Sequence, residues 1–182
     1  MSKPYGIVAL WHGRLLRDRG ARAAIRRAQT WDEVLTVPAF LDLYRRIHAA
    51  GIRMPPEILA RMALAVSEVE PREEAGEEEK PEAPPELRPG RVFGRPRRGE
   101  DRAPVSFDRL RRLVETEEPD LFVRLLRAAL VQVEGEGHPV HLSRLVHAWH
   151  FPAERLSARR RLLLDYAETA PESEFPQQGE TS

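Results

Sequence analysis

Apolar residues recur along this chain at helical spacing. Ile7, Leu10, Trp11 and Leu15 form one stripe over residues 5–17, and Ala21, Ala24, Ile25 and Ala28 form a second over 20–29. Thr30–Glu33 reads as a capping box that opens a short helix, which Pro38 ends. Phe40, Leu43, Tyr44 and Ile47 make the next stripe. Gly51 and Pro55–Pro56 interrupt it, and Ile58, Met62, Ala65 and Val66 resume it over 57–69. Further along, Phe107, Leu110, Leu113 and Val114 share a face. Glu117–Asp120 carries the acids and proline of a helix start, and that helix runs to Val133. Leu142, Leu145, Val146 and Trp149 share one arc, and Pro152 opens a last helix bearing Leu156, Leu163 and Tyr166. β-branched residues are scarce, no alternating pattern persists, and no internal repeat is present. The prediction is an all-α fold, a helical bundle of about eight or nine helices in two small lobes.

Composition changes abruptly between the two helical blocks. "EPREEAGEEEKPEAPPELRPGR" is rich in Glu, Pro and Gly and nearly free of large apolar residues. Such a stretch buries too little surface to offset its ordering entropy. The expected organisation is an N-terminal helical lobe over 1–67, a flexible Glu/Pro/Arg-rich linker or loop over 68–102, a C-terminal lobe over 103–170 and a frayed tail over 171–182.

The formal net charge is zero, but the charges are segregated. Arginines dominate before Val66 and again from Arg88 to Arg112, whereas glutamates dominate from Ser67 to Leu87. Lys3 and Lys80 are the only lysines among 29 basic residues. A GC-rich coding bias is the bland explanation of that ratio; it does not explain the clustering. There is no cysteine, hence no disulfide framework or thiolate site. No apolar run approaches a membrane span, and the N-terminus lacks a signal-peptide pattern, so a cytoplasmic protein without membrane contact is expected.

Candidate chemistry is sparse. His147 and His150 are three residues apart on a helix, but no third metal ligand is supplied locally, and no Glu occupies a zincin-like position. Glu117, Glu118 and Asp120 serve as helix-start acids. "GRVFGRPRRG" has the wrong spacing for a phosphate loop, and no serine has a nucleophile's context. The expectation is a protein that is not an enzyme and uses no cofactor or metal.

The arginines are the informative feature. In "RGARAAIRRAQ", Arg19, Arg22 and Arg26 fall within about 60° on a helical wheel, Arg27 flanks them, and Ala21, Ala24, Ile25 and Ala28 point the other way. A ridge of one sign suits contact with phosphates. Further clusters lie around Arg109 and around Arg155 and Arg159. The competing reading is a solvated face balanced within the chain by the glutamate run. A further expectation is that residues 68–88 form a mobile acidic segment that screens this surface.

The stretch "RGARAAIRRAQTWDEVLTVPAFLDLYRRI" resembles the N-terminal signature of the CasB family, the small subunit of the type I-E CRISPR Cascade surveillance complex. "SFDRLRRLVETEEPDLFVRLLRAALVQV" and "VHLSRLVHAWHFPAERLSARRRLLLDYAET" are similar to that family's arginine-rich, Trp-bearing and Leu-Leu-Asp-Tyr helices. The likeness covers residues 5–68 and 103–169. It implies a non-catalytic, all-helical subunit that functions in antiviral defence. Its implied partners are the backbone and large Cascade subunits, a second copy of itself, CRISPR RNA and target DNA. The implied role is to hold the guide–target hybrid and the displaced DNA strand through phosphate contacts, stabilising the R-loop. Arg26, Arg27, Arg109, Arg155 and Arg159 are the residues carried over from the family. Arg22 is added from the wheel. The alternative is a protein–protein scaffold whose arginines pair with acidic partners. A helix-turn-helix regulator would need a recognition helix with polar residues reaching bases, and none is identified.

Overall fold

Proline sets the start of most helices. It has no N–H to lose in a first turn, and its fixed φ already suits the helix. The computed structural model describes residues 4–71 and 83–175. Helices α1 (Pro4–Leu15), α4 (Pro38–Ala49), α5 (Pro56–Val66), α6 (Pro89–Gly94), α8 (Pro119–Gln132), α9 (Pro139–Trp149) and α10 (Pro152–Ala167) all begin on a proline. The others are α2 (Arg19–Arg27), α3 (Trp31–Val34) and α7 (Phe107–Glu115), and short 3-10 turns lie at Pro85–Leu87 and Glu172–Glu174. No strand occurs among the described residues. The fold is all-α, as the periodicity predicts.

Two starts are capped by carboxylates. Asp18 Oδ1 accepts from the Ala21 N–H at 2.9 Å, and Glu118 accepts from Asp120 and Leu121. The capping box expected at Thr30 forms differently. Thr30 makes no side-chain cap to α3, and Glu33 instead reaches back to the Gln29 N–H at 2.8 Å. The Thr30 side chain bonds Asp32, which holds that carboxyl below its usual range.

Helix α5 is the centre of the molecule. Every residue from Ile58 to Val66 is buried, including Arg61. A helix that is apolar on all sides must be covered on all sides, and α1, α2, α3, α4, α8 and α9 all pack on it. Because α8 and α9 come from the C-terminal half, the two halves of the sequence share one continuous core. Trp149 stacks on Phe122 with ring centroids 3.7 Å apart, and its indole N–H donates to the Thr116 carbonyl at 2.9 Å. Trp11 donates to the Ala39 carbonyl at 2.9 Å.

Part of the stretch expected to be a flexible linker is structured. Leu87, Val92 and Phe93 are buried, and α6 packs on α10 more extensively than any other helix pair. Composition misses this because the contact rests on absent side chains. A Cβ on Gly90 would overlap the Leu162 carbonyl. One on Gly94 would lie 2.6 Å from Thr169 Oγ1 and 2.7 Å from the Tyr166 carbonyl. Two glycines four apart therefore let the α6 backbone lie directly against α10. Thr169 Oγ1 then donates to the Arg91 carbonyl at 3.0 Å. The remainder of the expected linker, residues 72–82, and the end of the expected tail, 176–182, lie outside the described residues.

Gly90→Ala is expected to destabilise the protein by about 1–3 kcal/mol, because backbone cannot yield as a side chain does. Gly13→Ala, in α1 with nothing within 4 Å of the added carbon, is expected to be neutral or slightly stabilising. Urea unfolding followed by circular dichroism makes the comparison. Equal midpoints for the two variants would contradict the close packing of α6 on α10.

Candidate nucleic-acid interface

The arginine ridge of α2 does not stand free in solvent. Ile25 is the only buried residue of α2, with Ala21 and Ala24 half-buried beside it, so the helix rolls its basic edge toward the end of α5. There the chain turns. Ser67 Oγ donates to the Leu64 carbonyl at 2.8 Å, and the carbonyls of Ser67 and Val69 are left facing α2. Arg22 meets both. Its Nε donates to Ser67 O and its Nη2 to Val69 O, each at 3.0 Å, while Nη1 and Nη2 hold the Glu70 carboxylate at 2.9 and 2.8 Å. This guanidinium uses its full fork on one loop. Its hydrogen bond is the largest influence holding the Glu70 carboxyl below the usual range.

Arg26 lies 2.9 Å from the Glu68 carboxylate and 3.4 Å from that of Glu70. Glu68 is only 5% exposed, and a second arginine reaches it: Arg127 of α8, at 2.9 Å through Nε and 2.8 Å through Nη2. Arg127 also donates to the Ala28 carbonyl at 2.9 Å and the Arg26 carbonyl at 2.6 Å. It thereby satisfies carbonyls at the C-terminal end of α2, where a cation also complements the helix dipole. Glu70 N–H donates to the Gly135 carbonyl at 3.0 Å. Gly135 has φ of +73°, and a Cβ there would overlap the Glu68 carbonyl. The buried His12 completes the junction, its Nε2 3.2 Å from the Val69 carbonyl.

The six sequence-derived arginines therefore divide by environment. Arg22 is bonded into the junction just described. Arg26 is shared between that junction and solvent, with 39% of its side chain exposed. Arg27, next in sequence but on the outer side of α2, is exposed and has no acid partner among the described residues. In the C-terminal half, Arg155 donates to the Glu117 carbonyl at 3.0 Å. Arg159 donates to the Thr116 carbonyl at 3.2 Å and lies over the Trp149 ring, 5.6 Å from its centroid. Both pin the α7–α8 connection to α10. Arg109, on the outer face of α7, is exposed and without an acid partner among the described residues, as is Arg112 one turn on. The structure thus brings Arg22 and Arg26 together around two glutamates, and Arg155 and Arg159 together around one loop. Arg27 and Arg109 remain open to solvent. Sequence reasoning missed the roles of Arg127 and Glu68, because their partners lie 59 residues apart in the chain.

Three of the C-terminal histidines have local roles, whereas His150 Nε2 is buried without a hydrogen-bond partner among the described residues. His138 Nδ1 accepts from the Val140 N–H at 3.2 Å, at the start of α9, and His141 Nε2 lies 3.0 Å from the Pro84 carbonyl. His147 shares a hydrogen bond with the Tyr5 hydroxyl at 3.3 Å. Among the described residues no group of three His, Cys, Asp or Glu side chains is placed to hold a metal ion. No helix among them is long and apolar enough to cross a membrane.

The geometry describes an all-helical protein in which some arginines build the fold and others are presented to solvent. Residues 21–166 match the family described as CRISPR-associated protein Cse2, and the chain belongs to that family, the Cse2 (CasB) family of type I-E Cascade. It is accordingly a CRISPR Cascade subunit. No curated protein and no solved structure matches it.

Burial pushes the His12 imidazolium down to about 4 from the ordinary 6.5, with Arg22 and His138 adding to the shift. The unfolded chain therefore binds a proton at His12 that the folded chain refuses between these two values. Stability from this group is fully present above pH 6.5 and declines as pH falls toward 4. His12→Gln, which keeps an N–H for the Val69 carbonyl but does not titrate, is expected to show a smaller loss of unfolding free energy between pH 7 and pH 5 than the wild type. Identical losses in the two proteins would contradict a neutral buried His12.

Proposed function

We propose that this subunit is non-catalytic and contacts the phosphate backbones of the guide–target hybrid and the displaced DNA strand, stabilising the R-loop of a CRISPR RNA-guided complex. Membership of the Cse2 family supports the setting. The observation that carries the reading is the pair of exposed arginines without acid partners among the described residues, Arg27 and Arg109, one on each half of the chain. Arg26, partly exposed beside Arg27, belongs with them. Arg22, Arg155 and Arg159 serve this surface indirectly, by fixing the elements that present it.

Arginine forks bind phosphates without reading bases, so the expected recognition is independent of sequence and sensitive to salt. Exchange of a DNA duplex for an RNA–DNA hybrid is nearly balanced in energy, so a few backbone contacts are enough to shift it. The implied partners are CRISPR RNA, target DNA, the backbone and large subunits, and a second copy of the chain. The cytoplasm is the compartment this role requires.

A protein–protein scaffold is the second reading, and one observation favours it. The arginines of α2 already take carboxylates, those of Glu68 and Glu70. Fluorescence anisotropy of labelled DNA and RNA across a salt series separates the two. Wild type is expected to bind irrespective of sequence. Arg27→Ala/Arg109→Ala should flatten the dependence of log K on log salt by about two phosphate contacts, a slope change of about 1.8 on duplex DNA. An unchanged slope in a folded double variant would remove those residues from the interface and favour the scaffold.

A further inference from the structure

A second concentration of arginine lies on a different face, where α9 and α10 run side by side. One stripe of α9 and one stripe of α10 form the walls of a groove of 510 Å³, closed at one end by the start of α6 and bordered by Tyr5 of α1. Its floor is apolar: Leu145 and Leu162 are buried there, with Ala148 and Ala158 half-buried between them. The small alanines leave the space open. The volume falls within the range of small-ligand sites, about 300–1,000 Å³.

The rim is charged and asymmetric. Arg88, Arg144 and Arg161 line the groove together. Arg144 and Arg161 are exposed and have no acid partner among the described residues; Arg144 lies over the Tyr5 ring, 5.6 Å from its centroid. Arg88 is engaged only loosely, 3.6 Å from the buried Asp165, which Arg91 also approaches at 3.5 Å. Asp165 is thus offset from within, and the free positive charge belongs to Arg144 and Arg161. Two acids line the groove: Asp165, held between Arg88 and Arg91, and Glu154, toward Tyr5 and His147, 3.7 Å from His147 Nδ1, on the side where Arg144 covers the Tyr5 ring. Like charges gathered over an apolar floor repel one another until an anion enters. The arrangement calls for a ligand with a doubly charged oxyanion at the arginine end. Its body must be flat and apolar for the leucine–alanine floor. Neutral hydroxyl or amino donors suit the Glu154 and Ser157 side.

We propose that the α9–α10 groove binds a nucleoside monophosphate, its phosphate monoester held by Arg144 and Arg161 with Arg88 alongside, and its base on Leu145, Ala148, Ala158 and Leu162. A phosphate monoester carries more charge than the diester within a strand, which suits two or three guanidinium forks. The same chemistry is offered by a free nucleotide and by the phosphorylated end of a strand. The inference is independent of the phosphate-backbone reading, because none of its residues belongs to the Arg27–Arg109 surface.

The test is isothermal titration calorimetry of the full chain at low salt with AMP, adenosine and inorganic phosphate. AMP is expected to bind at least about tenfold more tightly than either fragment, since each lacks one half of the recognition. Arg144→Ala/Arg161→Ala, both exposed positions, should lose about tenfold or more for AMP with an unchanged circular dichroism spectrum. Arg27→Ala/Arg109→Ala should bind AMP as wild type does, so failure of the backbone reading leaves this result intact. A 5′-phosphorylated short oligonucleotide that outcompetes its 5′-hydroxyl twin identifies the strand end as the source; equal competition identifies the free nucleotide. Absence of AMP binding at millimolar concentration would overturn the proposal. Inorganic phosphate binding as tightly as AMP, or a folded double variant of undiminished affinity, would do the same.

Discussion

The turn that follows α5 is the constraint on which the rest of the structure depends. The turn beyond a buried helix points further carbonyls, those of Ser67 and Val69, toward neighbouring elements, and each needs a donor. The chain itself supplies the donors. Arg22 of α2 answers Ser67 and Val69, His12 of α1 shares Val69, and the Gly135 carbonyl beyond α8 takes the Glu70 N–H. Arg127 of α8 then ties Glu68 back to the end of α2. Elements from both halves of the sequence thus converge on four residues. The unsatisfied carbonyls left by losing one guanidinium would cost more than the ion pairs themselves contribute.

The same junction explains the all-arginine edge of α2. A mixed-charge edge would have met carbonyls and two carboxylates with acids of its own, so acids are excluded from the inward side. The outward side continues the arginine pattern at Arg27, and there the charge is free for a partner. One helix therefore performs two tasks with one residue type, and the two meet at Arg26, which is shared between the junction and solvent. In the C-terminal half the division repeats: Arg155 and Arg159 close the α7–α8 connection, while Arg109 faces solvent.

Helical periodicity was sufficient to read the all-α class and most elements, because proline starts and apolar stripes are local signals. It was insufficient at α6, where packing depends on Gly90 and Gly94 having no side chain, and glycine-rich composition reads as flexibility. It also failed at Thr30, whose hydroxyl was drawn to Asp32 instead of the α3 backbone. The candidate interface was legible as a list of arginines but not as a partition of them. Whether an arginine is buried by a distant carbonyl depends on tertiary contact, and the partners of Arg22 lie 45 to 48 residues downstream. The first members of the glutamate run, Glu68 and Glu70, are internal counter-charges to Arg26 and Arg22; Glu73 to Glu82 lie outside the described residues.

The central claim is that adjacent stretches of one arginine ridge have different physical roles. The direct measurement is the unfolding free energy of Arg22→Ala against that of Arg27→Ala, by urea denaturation at pH 7. Loss of about 2–3 kcal/mol for Arg22→Ala, with Arg27→Ala indistinguishable from wild type, is the result predicted. An Arg22→Ala protein as stable as wild type would show that the ridge is a uniform solvated face, and the account of the α5 junction would be wrong.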